Sequence, residues 1–155
     1  MESKQKKAIV IVHSYHHMNT ERVAAVIAGE LGAEVKRPED ITSEALREYE
    51  LIGFGSGIDS GKHYAPILHL AASLQSAKQK AFIFSTSGVF FKWQMNRNHE
   101  ALRRILIEKG LTIVDEFGCL GFNTNSFLRF IGGMNKGRPN GDDLKAAAAF
   151  AGRLC

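Results

Sequence analysis

Five consecutive apolar residues, Ala8-Ile9-Val10-Ile11-Val12, constrain this chain more than any other feature. A mostly β-branched run with no polar alternation reads as a strand buried on both faces, as in sheets covered by helices on either side. A polar loop follows, His13-Ser14-Tyr15-His16-His17-Met18-Asn19-Thr20. Residues 21–31 then space Val23, Ile27 and Leu31 four apart along one helical face. Strand, polar loop and helix start together make an anion-holding geometry. The first helical turn carries N–H groups without partners and the positive end of the dipole. Ser14, Asn19 and Thr20 add short side chains that can donate to phosphate oxygens, so residues 14–20 read as a phosphate-holding loop. An ordinary capped helix accounts for the same residues, with Asn19 or Thr20 at the N-cap and Glu21 favouring the dipole. The spacing is neither a P-loop, which ends Gly-Lys-Ser/Thr, nor a three-glycine dinucleotide fingerprint.

The rest of the chain repeats the alternation. Residues 33–37 read as a second strand ended by Pro38, and Thr42 caps a short helix over 42–48. Residues 50–57 form a third strand running into Gly55-Ser56-Gly57-Ile58-Asp59-Ser60-Gly61, where so many glycines imply positive φ or a close backbone approach. A helix from Pro66 to about Leu74 precedes a fourth strand over 80–85, which leads into Thr86-Ser87-Gly88-Val89-Phe90. The longest helix spans 96–109 and stops at Gly110. A fifth strand over 111–122, a Gly- and Asn-rich loop and an alanine-rich helix over 141–154 complete the chain. Such alternation forces parallel strands with right-handed crossovers, and ligands then sit at the carboxyl ends of the strands. Loops 14–20, 56–64 and 85–93 lie there, with 122–139 as a fourth wall.

The 155 residues carry 20 basic and 16 acidic side chains, unevenly spread: +2 over residues 1–7, −4 over 8–64 and +6 over 65–155. The positive half suits an acidic partner or an anionic ligand, and equally a solvated surface with neither. Residues 1–7 read as a disordered basic tail and 8–155 as one domain. No apolar run approaches a membrane span of roughly 20 residues, and no signal peptide is seen. No basic-aromatic pattern of an RNA binder is present. Cys119 and Cys155 form no metal or redox motif. Cys119 is expected buried and Cys155 exposed, in a reducing cytoplasm.

These motifs, in this order, resemble the flavodoxin family over nearly the whole chain. Ser14-Tyr15-His16-His17-Met18-Asn19-Thr20-Glu21 looks like that family's hydroxyl-rich loop ending in Gly-Asn-Thr, with Met18 at its glycine. Gly53-Phe54-Gly55-Ser56-Gly57-Ile58 and Ser85-Thr86-Ser87-Gly88 resemble the two flavin-flanking loops. Lys136-Gly137-Arg138-Pro139-Asn140 with Asp143, Ala147 and Phe150 resembles the closing segment.

The resemblance implies a three-layer α/β/α sandwich on a five-stranded parallel sheet in the order 2-1-3-4-5, binding FMN. The phosphate would sit in residues 14–20, with His16 ahead of His17 as a donor. The ring would lie between Ser56–Gly61 and Thr86–Phe90, faced by Ile58 on one side and Val89 or Phe90 on the other. Trp93 reads as a packing residue, and Tyr64 equally as a cap for the following helix. Unlike acidic flavodoxins, the flanking loops carry Lys62, His63 and Lys92 against Asp59 alone. The implied function is electron transfer, by a monomer or weak dimer, to an acidic redox partner, without nucleic acid or membrane. An FMN-dependent NAD(P)H:quinone or flavin reductase is the alternative, and a non-flavin binding module on the same scaffold a third class.

Overall fold

A computed structural model describes residues 7–14, 19–75, 78–88, 92–121 and 137–154. Strand β1 (Ala8–His13) lies inside the sheet, parallel to the edge strand β2 (Glu34–Lys36) on one side and to the central strand β3 (Leu51–Asp59) on the other. Beyond β3 and a short β4 (Lys62–His63), β5 (Lys80–Ser87) pairs with β3 and β6 (Thr112–Leu120) pairs with β5, both in parallel. The order β2-β1-β3-β5-β6 is the expected 2-1-3-4-5 arrangement of five parallel strands.

Side chains of β1 alternate between two cores, which is why its sequence is continuously apolar. Val10 and Val12 pack with Val23 and Ile27 of α1 (Asn19–Leu31) and Phe150 of α4 (Gly141–Leu154). Ile9 and Ile11 pack with Ile67 and Leu70 of α2 (Ala65–Ser73) and Leu102 and Leu106 of α3 (Lys92–Glu108). Among the described residues the result is three layers, with two helices on each face of the sheet. Cys119 is buried as expected, and burial pushes its thiol up to about 12. No helix of the described residues is long and apolar enough to cross a membrane.

Of the two uses their spacing suggests, the glycines of β3 serve the close approach. Gly53, Gly55 and Gly57 lie in extended strand, not at positive φ. Gly53 and Gly55 pair with Phe82 and Phe84 of β5, whose rings lie across the strand. A Cβ on Gly53 would come within 2.2 Å of Phe82 Cζ, and one on Gly55 within 2.2 Å of Phe84 Cε2. The close approach is thus to neighbouring rings of the core.

Other segments differ from expectation. β3 continues to Asp59 and turns back as β4, pairing Ile58 with His63 and Asp59 with Lys62. Ser60 and Gly61 make the turn with φ of 52° and 79°, the left-handed pair that two-residue hairpins favour. The short helix over 42–48 is instead a 3-10 turn over Ala45–Glu48, after another at Pro38–Asp40. Thr42 Oγ1 still accepts from Ala45 N at 3.1 Å. α3 begins at Lys92 and not at Asn96, so Trp93 belongs to its first turn and is 60% exposed, outside the buried core. β5 runs two residues further, to Ser87, because Thr86 and Ser87 continue its pairing with β6. The fourth helix starts where expected. Asn140 Oδ1 accepts from Asp143 N at 3.0 Å and Asn140 N donates back to Asp143 Oδ2 at 2.8 Å, a reciprocal cap. Arg138 clamps the same carboxylate.

Candidate functional site

The carboxyl ends of β1, β3 and β5 converge at the point where strand order reverses about β1. Ser14 follows β1, half-buried. Asn19 and Thr20 open α1 and are 7% and 1% exposed. Phe82, Phe84 and Thr86 alternate onto the α1 side of β5, so Thr86 meets Thr20: their hydroxyl oxygens lie 2.8 Å apart. The first and third expected loops are therefore joined by a hydrogen bond spanning 66 residues of sequence.

The second wall is the β3–β4 hairpin. Ser56 is fully buried. Its hydroxyl donates to Gly57 O at 2.6 Å and accepts from Tyr64 N at 3.1 Å, holding the hairpin closed. Tyr64 occupies the N-cap position of α2 without a side-chain cap bond. Its ring crosses Gly57, where a Cβ would come within 2.8 Å of Tyr64 Cε2, and stands edge-on to His13 at 5.6 Å. Ile58 is half-buried, while Ser60 and Gly61 are exposed at the turn; Ser87 and Gly88 are half-buried at the end of β5. Tyr15, His16, His17, Met18, Val89 and Phe90 lie outside the described residues, as does the side chain of Asp59.

Behind these walls is a polar array that the motif reading missed. Ser85 Oγ lies 2.7 Å from His99 Nε2, and His99 Nδ1 lies 2.9 Å from Glu116 Oε1. A carboxylate only accepts, so Nδ1 carries the proton and Nε2 accepts from Ser85. Arg103 grips Glu116 with two bonds, of 2.8 and 2.7 Å. The ring of His63 packs on that of His99 at 5.0 Å, and its Nε2 donates to Phe84 O at 3.1 Å. His63 Nδ1 is buried with no hydrogen-bond partner. Burial, then the neighbouring His99, pushes His63 down to about 3. Burial also lowers His99, against the opposing hydrogen bond from Glu116. Glu116 is held at about 2: burial opposes its charge, but hydrogen bonds from His99 and Arg103 win. Both imidazoles are therefore neutral at pH 7, and His63 adds no charge to the hairpin.

Serine, histidine and carboxylate stand here in the order of a hydrolase triad. Ser85 is 2% exposed and His99 0%, so no acyl substrate reaches the hydroxyl. The array is internal support. One signal for it did exist in the sequence: His99, Leu102 and Leu106 share the spacing of a buried helical stripe.

The donor set suits a phosphate. Asn19 and Thr20 open α1, whose first-turn N–H groups and positive dipole end can hold a phosphate, while the Thr20 hydroxyl is shared with Thr86; Ser14 stands at the end of β1. Among the described residues no group of three or more His, Cys, Asp or Glu side chains is placed to hold a metal ion.

No family model matches the chain. An uncharacterized protein of Methanocaldococcus jannaschii is 41% identical over 145 residues, covering 94% of this chain and 95% of its own. A flavodoxin from the domain Archaea superposes with a TM-score of 0.70 at 20% identity, covering 94% and 93% of the two chains. The chain belongs to the family of the Methanocaldococcus protein, and its fold is the flavodoxin fold. Flavodoxin 2 of Bacillus cereus matches the flavodoxin-like chain at a TM-score of 0.71 and 16% identity over 94% of each. A flavoprotein of Lactobacillus acidophilus, solved in complex with FMN, matches at 0.60 and 16% identity over 73% of this chain and 93% of its own.

Proposed function

We propose that this flavodoxin-like chain binds FMN and carries electrons in the cytoplasm. The observation that carries the reading is the closure of α1 onto β5 by Thr20 and Thr86 at the switch point of the sheet, beside the β3–β4 hairpin. Ser14, Asn19, Thr20 and residues 15–18 hold the phosphate, with His16 as a ring N–H donor. The ring lies between the Ile58–Gly61 turn and the segment from Thr86 through Phe90. Amides near Ile58–Gly61 face one edge and those near Ser87–Val89 the other. Ser56 supports the hairpin from behind, since its hydroxyl is already engaged. Bound FMN supplies the one- and two-electron chemistry; the protein binds, orients and tunes it.

An acidic protein is the partner this reading favours. The hairpin turn and α3 border an open groove of about 480 Å³ lined by Lys62, Arg97 and Arg104, the last paired with Glu100. NADH and NADPH under anaerobic conditions are expected to reduce the bound flavin only slowly without a partner reductase, because the scaffold uses every long strand and helix among the described residues. Stopped-flow reduction at catalytic rates by either nucleotide would make the protein a reductase.

Thr20→Ala tests the phosphate site. Losing one hydrogen bond to a charged group costs about 1.5–3 kcal/mol, so FMN affinity should fall roughly tenfold or more. Thr20→Ser should retain binding. Riboflavin lacks the phosphate and should lose much less, only the part that comes from the broken Thr20–Thr86 bond. An equal loss for riboflavin and FMN would remove the phosphate from this loop.

A further inference from the structure

We infer that His99 is a positioning residue, which locks the two strand-end segments 56–63 and 85–88 into one rigid surface. A single imidazole reaches three elements that the chain order keeps apart. Its Nε2 accepts a hydrogen bond from the hydroxyl of Ser85, next to Thr86 at the end of β5. Its Nδ1–H donates to Glu116 on β6. Its ring face carries His63, the last residue of the β3–β4 hairpin. Arg103, one turn further along α3, clamps Glu116 and also donates to Asn96 O at 3.2 Å, so the array is fixed to its own helix.

Burial makes the arrangement specific. Ser85 is 2%, His63 1% and His99 0% exposed, so each lost bond leaves a polar group that water cannot reach. An apolar side chain at 99 would still fill space, but it would release Ser85 and strand Glu116 with Arg103 alone. The segments that would loosen are the two expected to flank the ring, and rigid support of such walls raises affinity by preorganisation. Only this last step rests on the flavin reading; the locking itself concerns the chain alone.

Amide hydrogen exchange on the apo protein therefore comes first. In His99→Leu, exchange over residues 56–63 and 85–88 should quicken by at least about tenfold, the scale for losing a buried hydrogen-bonded partner. Exchange in β1 and α4 should stay near that of the parent. Ser85→Ala should quicken 85–88 in the same way. His99→Gln keeps an acceptor for Ser85 and should restore most of the protection. FMN titration comes second: His99→Leu should weaken binding by about tenfold or more, and His99→Gln far less. Exchange that rises uniformly across the molecule, or not at all in these segments, would overturn the inference and leave His99 a residue of general stability. Local loosening with unchanged FMN affinity would overturn the link to the site. If the parent itself binds no FMN, the flavin reading fails while the exchange result still decides the locking.

Discussion

Gly55→Ala is expected to lower the unfolding free energy by about 3 kcal/mol, near the top of the usual range for overpacking a core. The added methyl would lie 2.2 Å from Phe84 Cε2 and 2.3 Å from Phe84 Cζ. The ring has nowhere to retreat: Phe84 and its stacked neighbour Phe82 are fully buried, and Phe82 meets Phe150 edge-on at 5.8 Å. Relief would therefore require β3 to move from β5, at the strands that carry the site. Gly29→Ala is the control. It lies on α1 with nothing within 4 Å of the added methyl, and should gain up to about 1 kcal/mol from helix propensity. Urea unfolding of both variants measures the difference. A Gly55→Ala midpoint equal to the parent's would show that the rings do not fill these positions.

Acid should unfold the protein earlier than its surface charge alone would, and His63 should carry a large share. Its folded pKa of about 3 lies below the ordinary 6.5, so the unfolded chain binds its proton first. Stability from this group is complete above pH 6.5 and falls with acidification by about 1.4 kcal/mol per unit until near pH 3. At pH 4.5 the loss is about 3 kcal/mol from His63 alone. His99, lowered too, adds in the same direction. Glu116, held at about 2, contributes only below its ordinary value of 4.5. His63→Gln keeps a donor for Phe84 O but cannot titrate. Its urea-unfolding free energy between pH 7 and 4.5 should fall by about 3 kcal/mol less than the parent's. Identical slopes for the two proteins would mean that His63 is charged or exposed in the fold.

Much of the architecture was legible because the burial pattern of a doubly covered parallel sheet is written in consecutive residues. The run 8–12 and the four-spaced apolar residues of α1 each identify an element and its buried face. The order of polar loops after strand ends then picks out the candidate site. Less legible were features that depend on pairs far apart in sequence. Gly53 and Gly55 fall in the expected strand, but what they approach stays hidden until Phe82 and Phe84 are laid beside them. The β4 hairpin rests on two residues whose pairing partners lie across a two-residue turn. Trp93 looked like packing, but α3 starts a turn earlier and carries it outward. The Ser85–His99–Glu116 array joins β5, α3 and β6; the helical spacing of His99 with Leu102 and Leu106 marks the histidine as buried but does not name its partners. His63, counted among cations of the hairpin, is neutral for the same reason: its surroundings come from β5 and α3.

The most direct test of the central claim is a titration of FMN into the purified apo protein, followed by visible absorption and flavin fluorescence. Saturation at one FMN per chain, with a perturbed flavin spectrum and FMN released on denaturation, is the expected result. A folded protein that stays colourless and leaves the spectrum and fluorescence of added FMN unchanged would contradict it, and would make this flavodoxin-fold chain a binding module for something other than a flavin.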